Sequence, residues 1–236
     1  MDDPSNENRE FARVRARQFL KADQNLRRDL LQQQVGTLER LRAERRAEAD
    51  WLSRYAKISP HGFVETSLVP SPELLLHLLN AVSGRGGPID AAKRKRLSKA
   101  MDESGFSATT LAGAWVVPTS HGFLFTRDQG MIKGRRNLKP NSSQHSMTLS
   151  AGQTCLWDGR FYVRAKDHDL TIYPAQGHLG ELVDLAETKA IFDCPAEVRG
   201  TLPVYSFAQK VLGFGGINSQ KVTAEPVSAQ RLQSLV

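Results

Sequence analysis

The feature that most constrains the fold is the stretch from residue 7 to residue 57, which contains no proline and a single glycine. Arginine, glutamate, glutamine and alanine fill most of it, and these residues favour helix. Apolar residues recur at the three-to-four spacing of an amphipathic helix: Leu26, Leu30, Val35, Leu38, Leu41, Trp51 and Leu52. Asp23 or Asn25 can cap a new helix, so we predict one helix near 7–20 and a longer one near 24–57.

Two further helices are predicted before residue 105. Ser71, Pro72 and Glu73 supply a cap, a proline at the first helical position and an acid in the first turn. The leucine-dense run that follows is expected to be buried on most sides. A basic helix is predicted near 90–104, where four successive cations begin at Lys93.

Beyond residue 105 the pattern changes to short strands. Strands are predicted at 111–118 and 123–127, and a second strand pair at 154–165 and 170–174, while the polar tail from Ser219 is expected to fray. The predicted fold is therefore α+β. We place a helical domain or linker at 1–105 and a smaller mixed β domain at 106–236.

The charge balance favours an acidic partner. The formal net charge is +7 and the isoelectric point is about 9.6, which makes nucleic acid the first candidate. No apolar run approaches the roughly 18–20 residues that span a bilayer. Two cysteines are too few for a disulfide framework, so a reducing cytoplasmic location is expected.

No familiar catalytic constellation occurs in the sequence. Phosphate-loop, dinucleotide-binding, His-Glu-x-x-His and Cys-x-x-Cys patterns are all lacking. Asp167, His168 and Asp169 are adjacent, and adjacent side chains cannot all point at one ion without an unusual backbone, so we predict no metal site there. Cys155 and Cys194 are interpreted as small packing residues.

Cationic residues form three clusters. Each cluster alone is typical of a solvated surface, but together they favour phosphate binding. The first lies at 9–17, the second at 93–99 with Arg85 before it, and the third at 133–139. The candidate nucleic-acid-binding residues in them are Arg9, Arg13, Arg15, Arg17, Lys93, Arg94, Lys95, Arg96, Lys133, Arg135 and Arg136.

Short motifs spread along the chain resemble tRNA(Ile)-lysidine synthetase. The segments that carry the resemblance are Asp3-Pro4-Ser5-Asn6 before the arginine-rich helix, Thr110-Leu111-Ala112-Gly113, Leu156-Trp157-Asp158-Gly159-Arg160-Phe161, Gly200-Thr201-Leu202-Pro203-Val204 and Val211-Leu212-Gly213-Phe214-Gly215. Each is short, and their shared order covers nearly the whole chain.

The resemblance implies the tRNA-binding portion of a carbon–nitrogen ligase. Members of that family use ATP to adenylate the wobble cytidine of an isoleucine tRNA, and lysine then displaces the adenylate. Their Ser-Gly-Gly-x-Asp-Ser loop does not occur in these 236 residues. We therefore expect no catalytic residue and no cofactor in this chain, with ATP and Mg²⁺ confined to a separate catalytic domain.

On this interpretation the chain is inactive alone, and it derives from a truncated gene, a split gene or a misassigned start. The resemblance also implies that Arg13, Arg15 and Arg17 lie near tRNA or a separately encoded catalytic domain. Two alternatives remain open. One is a non-catalytic helical protein-interaction module, which the irregular leucine spacing disfavours. The other is a stand-alone enzyme of unfamiliar chemistry.

Overall fold

The structure, a computed structural model, describes residues 12–132, 146–182, 185–186 and 188–233. Side chains are not described at 17, 18, 21, 22 and 233. The chain divides into two compact units, Met1–Ala47 and Glu48–Val236. This division falls well before the predicted boundary at residue 105.

The first unit is helical and contains α1 (Ala12–Ala22) and most of α2 (Gln24–Tyr55). Asp23 separates the two helices. Its Oδ1 accepts the backbone N–H groups of Asn25 at 3.0 Å and Leu26 at 2.9 Å, satisfying donors that a helix start leaves without partners. The prediction of two helices capped in this region is confirmed.

Most apolar positions of the first unit's part of α2 are exposed. Leu31, Val35 and Leu38 are 52%, 54% and 53% exposed. Their spacing places them on one face of the helix. The described residues of the first unit therefore do not cover this face of the helix.

A five-stranded antiparallel sheet begins the second unit, with the order β1-β2-β5-β4-β3. Its strands are β1 (Ala56–Ile58), β2 (Val64–Thr66), β3 (Thr109–Leu111), β4 (Ala114–Thr119) and β5 (Gly122–Arg127). β2 pairs with β5, so strands from both sides of residue 105 share one sheet. The chain could not be divided there without breaking this ladder, which explains why the units separate elsewhere.

Two helices pack on this sheet, α3 (Pro72–Ser83) and α4 (Ala91–Asp102). Ser71 caps α3 by accepting the N–H of Leu74 at 3.1 Å, and Gly84 ends it in the left-handed conformation. The predicted burial of the leucine-rich helix is confirmed: Leu75, Leu78 and Leu79 are fully buried in a core that reaches Phe125 of β5.

Two four-stranded antiparallel sheets form the rest of the second unit, with the orders β11-β10-β9-β6 and β12-β13-β8-β7. The strands are β6 (Met147–Leu149), β7 (Thr154–Trp157), β8 (Phe161–Ala165), β9 (Leu170–Pro174), β10 (Pro203–Phe207), β11 (Lys210–Phe214), β12 (Ile217–Asn218) and β13 (Val222–Pro226). Phe161, Ile172 and Tyr205 come from both sheets and belong to one buried cluster.

Short helices complete the unit. They are α5 (Gln129–Ile132), α6 (Leu179–Leu182), a 3-10 helix at Lys189–Asp193, α7 (Ala196–Arg199) and α8 (Val227–Gln233). A third buried cluster joins Leu182, Ile191 and Val198 to Leu124 of β5. The architecture is α+β, as predicted. Across the described part of the chain, no helix combines the length and the apolar character that a membrane crossing requires.

Two predictions for the second unit, one on strand pairing and one on the C-terminal tail, were wrong. The strands at 154–165 and 170–174 do not pair with each other, because β8 pairs with β7 and β13 while β9 pairs with β6 and β10. The tail from Ser219 is ordered as β13 and α8, with Val222 fully buried and Leu232 1% exposed. Only alternate residues of this polar segment face the core, so its mean composition hides its burial.

Candidate nucleic-acid interface

The second predicted basic cluster lies on α4. Asp90 caps this helix by accepting the N–H of Lys93 at 3.0 Å. Leu97 and Met101 are buried in the core shared with α3. This burial fixes the rotation of α4, so the cations on its other faces are directed away from the core.

Three of the four predicted cations on α4 are exposed, and the fourth is not. Lys93, Lys95 and Arg96 have exposed side chains. Arg94 is half-buried and donates Nε–H to the carbonyl of Ile89 at 3.1 Å and Nη1–H to that of Pro72 at 2.5 Å. Arg94 is therefore engaged in holding α4 against the start of α3, and its assignment as a tRNA contact stays a prediction.

The exposed cations of α4 have no acidic partner among the described residues. The ion pairs found there involve other basic groups, namely Arg40, His77, Arg127, Arg160 and His178. Lys99, four residues after Lys95, is also exposed and adds a fifth cation to the helix. Lys95 and Lys99 share the solvent-facing side, whereas Lys93 and Arg96 lie on another side of the helix.

A groove of about 540 Å³ separates α4 from β3. Lys93, Arg96 and Ala100 line it on the α4 side, and Thr109 and Thr110 line it on the β3 side. The loop between the two elements contributes Phe106, Glu103 and two serines, Ser104 and Ser107. The groove thus combines cations, hydroxyl groups and an aromatic ring within one segment of the chain.

The other predicted tRNA-binding residues are only partly described. Arg13 and Arg15 have exposed side chains on α1, and each makes an interaction of its own. The side chain of Arg17 lies outside the described part. So do Arg9, the whole third cluster of Lys133, Arg135 and Arg136, and the motif residues Asp3, Ser5 and Asn6. Their assignment stays a prediction.

The motif Trp157-Asp158-Gly159-Arg160 forms a buried ionic network. The Asp158 carboxylate accepts two hydrogen bonds from Arg127, from Nε–H at 3.0 Å and Nη2–H at 2.8 Å, and one from Arg160 Nε–H at 2.7 Å. The side chains of Asp158, Arg127 and Arg160 are 16%, 5% and 2% exposed. Arg127 also donates to the carbonyl of Ser83, and Arg160 to that of Thr201.

This network contains one more positive than negative charge. Burial lowers the pKa of Arg160 to about 10, although the neighbouring Asp158 acts in the opposite direction. The Arg160 guanidinium also lies 5.5 Å from the ring centroid of Trp157 and 5.3 Å from that of Phe161, within cation–π range. Since Arg160 is enclosed on all sides, this motif stabilises the fold and does not offer a cation to a ligand.

The turn of the motif fits closely against the end of α3. Asp158 and Gly159 have φ of 48° and 65°, the left-handed region that asparagine, aspartate and glycine tolerate best. A β-carbon added to Gly159 would lie 2.0 Å from the carbonyl oxygen of Gly84. The motif therefore joins the β7–β8 hairpin to α3 and to β5, which carries Arg127.

The described part of the chain contains no group of three histidine, cysteine, aspartate or glutamate side chains placed to hold an ion. His168 stacks on Phe207, with ring centroids 4.7 Å apart. Asp169 accepts the N–H of Ala151 at 2.9 Å. Two of the three adjacent residues considered from the sequence thus have ordinary packing and turn contacts.

Sequence reasoning missed the groove. Phe106 follows a glycine in an irregular loop and belongs to no aromatic motif, and Thr109 and Thr110 by themselves indicate only a strand. The signal present was the order of a basic helix, a short loop with serines and a phenylalanine, and a threonine-rich strand. No protein-family model, no curated protein and no solved structure matches this chain.

Proposed function

We propose that this chain is the tRNA-binding portion of a tRNA(Ile)-lysidine synthetase that acts in the cytoplasm. The observation that carries the proposal is the set of exposed cations on α4, for which the described residues supply no acidic partner. The resemblance of the sequence motifs to that family supplies the identity of the RNA. The exposed cations and the resemblance together support isoleucine tRNA as the polyanion that binds to this surface.

Phosphate contact is the chemistry that suits these side chains. Lysine and arginine that neutralise phosphates release condensed counterions, so binding is strong at low salt and falls steeply as salt increases. Such contacts position an RNA without reading its sequence. The choice of tRNA would then rest on the shape of the RNA and on a few contacts to its bases.

Catalysis is assigned to a different part of the synthetase. The family's ATP-binding loop is not found in this sequence, and a loop of that kind provides backbone donors for pyrophosphate. We therefore assign ATP and Mg²⁺ to the catalytic domain and propose that this chain presents the tRNA to it. The chain by itself is expected to form no carbon–nitrogen bond.

The test compares two double variants that remove equal charge. Lys95→Ala with Lys99→Ala removes two exposed cations from α4. Lys189→Ala with Lys210→Ala removes two exposed cations from the 3-10 helix and β11. Dissociation constants for isoleucine tRNA are measured by fluorescence anisotropy across a salt series.

The α4 variant should reduce the slope of log K against log salt by about 2, at roughly one unit for each phosphate that is no longer neutralised. The control variant should leave the slope unchanged, because its residues lie on other elements. Equal effects of the two variants would show that tRNA binding does not depend on α4 in particular. No binding of tRNA at physiological salt would refute the proposed function as a whole.

A second candidate function is a non-catalytic interaction module. The observation in its favour is the exposed row of Leu31, Val35 and Leu38 on α2, each more than half accessible to solvent. Exposed apolar patches of this kind are typical of protein interfaces. Light scattering coupled to size-exclusion chromatography, with and without tRNA, separates the two: a protein-only assembly that ignores tRNA would favour the module.

A further inference from the structure

The groove between α4 and β3 has properties that the solvent-facing cations of α4 lack. Lys93 and Arg96 line it on the α4 side, and Thr109 and Thr110 line it on the β3 side. Successive side chains of a strand point to opposite faces, so one threonine hydroxyl lies opposite an anion held by the two cations. A phosphodiester attached to a sugar and a base presents these chemistries together.

Phe106 supplies an aromatic surface in the same groove. Its ring meets Phe123 edge-to-face, with centroids 5.8 Å apart and an interplanar angle of 70°. Phe106 is only half-buried and lines the groove. The contact with Phe123 limits the ring's freedom, and an ordered ring costs less entropy when a base stacks on it.

β3 forms one edge of the five-stranded sheet, since β4 is its only neighbour there. Backbone N–H and C=O groups along the outer side of an edge strand lack ladder partners. All three residues of β3 line the groove, so these groups lie beside it. They add donors and acceptors suited to the hydrogen-bonding edges of an unstacked base.

We propose that the α4–β3 groove binds one unpaired nucleotide of an RNA, with its base on Phe106 and its phosphate between Lys93 and Arg96. The proposal rests on the proposed function, which makes RNA the ligand, and it adds a site that selects single-stranded over duplex segments. Phosphate contacts elsewhere on α4 do not distinguish the two. The groove does, because a paired base must first lose its pairing and stacking, at a cost of a few kcal/mol, before it can reach Phe106.

An extended acidic peptide is the competing occupant, because peptides can add to an edge strand beside a helix. Two features favour the nucleotide. β3 is only three residues long, so it offers few main-chain hydrogen bonds to a peptide. The half-buried ring of Phe106 also lines the groove; it gives a base a stacking surface, which an acidic side chain does not use.

The test uses the full chain and two RNA hairpins that differ only in a short single-stranded 3′ overhang. The wild-type chain should bind the hairpin with the overhang about tenfold more tightly, as expected for one stacked base. Phe106→Leu should abolish this preference while leaving the affinity for the blunt hairpin unchanged. Phe207→Leu, at another half-buried phenylalanine, is the control and should retain the preference.

Charge variants on the two sides of α4 provide the second comparison. Lys93→Ala with Arg96→Ala should reduce the preference for the overhang. Lys95→Ala with Lys99→Ala should weaken both hairpins equally and keep their ratio. Urea denaturation of each variant establishes that it is folded before its affinities are compared.

Each outcome has a definite meaning. Equal affinity of the wild-type chain for the two hairpins would overturn the groove proposal and leave the proposed function standing. Absence of binding to both hairpins and to tRNA would overturn both. Binding of an extended acidic peptide that requires Lys93 and Arg96, without any preference for the overhang, would overturn the proposal in favour of a protein partner.

Discussion

Replacing Asp158 with asparagine should destabilise the protein by about 3 kcal/mol, at the lower end of the range for breaking a buried ion pair. Asparagine keeps one oxygen acceptor and nearly the same volume. It also tolerates the left-handed backbone of this position, where φ is 48°. The effect therefore combines the loss of the negative charge with the loss of one acceptor, because both carboxylate oxygens accept a hydrogen bond from an arginine.

The magnitude follows from what the two arginines would retain. Arg127 would still donate to Ser83 and Gly113, and Arg160 to Thr201, so neither guanidinium loses all of its hydrogen bonds. Both would lose their anion while remaining almost wholly buried, at 5% and 2% exposure. An uncompensated buried charge is far more costly than a weakened neutral hydrogen bond.

Urea denaturation monitored by circular dichroism measures this loss. With an m-value near 2–3 kcal/mol/M, the unfolding midpoint should fall by about 1 M. Asp167→Asn is the matched control, because Asp167 is exposed and surface substitutions usually change stability by less than about 0.5 kcal/mol. If the two variants have the same midpoint, the network does not stabilise the fold as reasoned.

Two further predictions concern the second unit. Burial lowers the pKa of His61, and its Nδ1 has no hydrogen-bond partner among the described residues, so the unfolded chain takes up a proton more readily. The free energy of unfolding should then be greatest above the ordinary histidine pKa of about 6.5 and should decline as pH falls below it. His61→Gln should flatten the dependence of the urea midpoint on pH between about 7.5 and 5.5. An unchanged slope would exclude His61 as the origin of that pH dependence. Gly159→Ala should lower the melting temperature more than Gly152→Ala does, because both have positive φ but only Gly159 faces a backbone oxygen within 2.0 Å of the added carbon; equal losses would mean that the turn adjusts freely.

Local signals accounted for most of the fold that the sequence predicted. The cap at Ser71 occurs as expected, and it depends on residues only a few positions apart, as does the turn at Asp158 and Gly159. The burial of Arg160 could not be predicted, because Arg127, which shares the Asp158 carboxylate with it, and its carbonyl acceptor at Thr201 are remote in sequence. Two-residue turns are specified locally, whereas buried networks are assembled by the whole chain.

Strand pairing and the groove were beyond the reach of the sequence for the same reason. β8 takes β13 as its second neighbour, although β9 follows it directly in the chain. That choice depends on which apolar faces meet across the two four-stranded sheets. The groove likewise exists only because α4 and β3 come to lie side by side, which no spacing of Lys93, Arg96 and Phe106 indicates.

The position of β13 bears on how this protein is synthesised. β8 ends at Ala165, and the strand that covers its open side begins only at Val222, between β8 and β12. During synthesis, the hairpin of β7 and β8 leaves the ribosome well before β13 emerges. Until then the open side of the hairpin exposes unsatisfied amides and carbonyls to other nascent chains, and a chaperone that covers it would prevent mispairing.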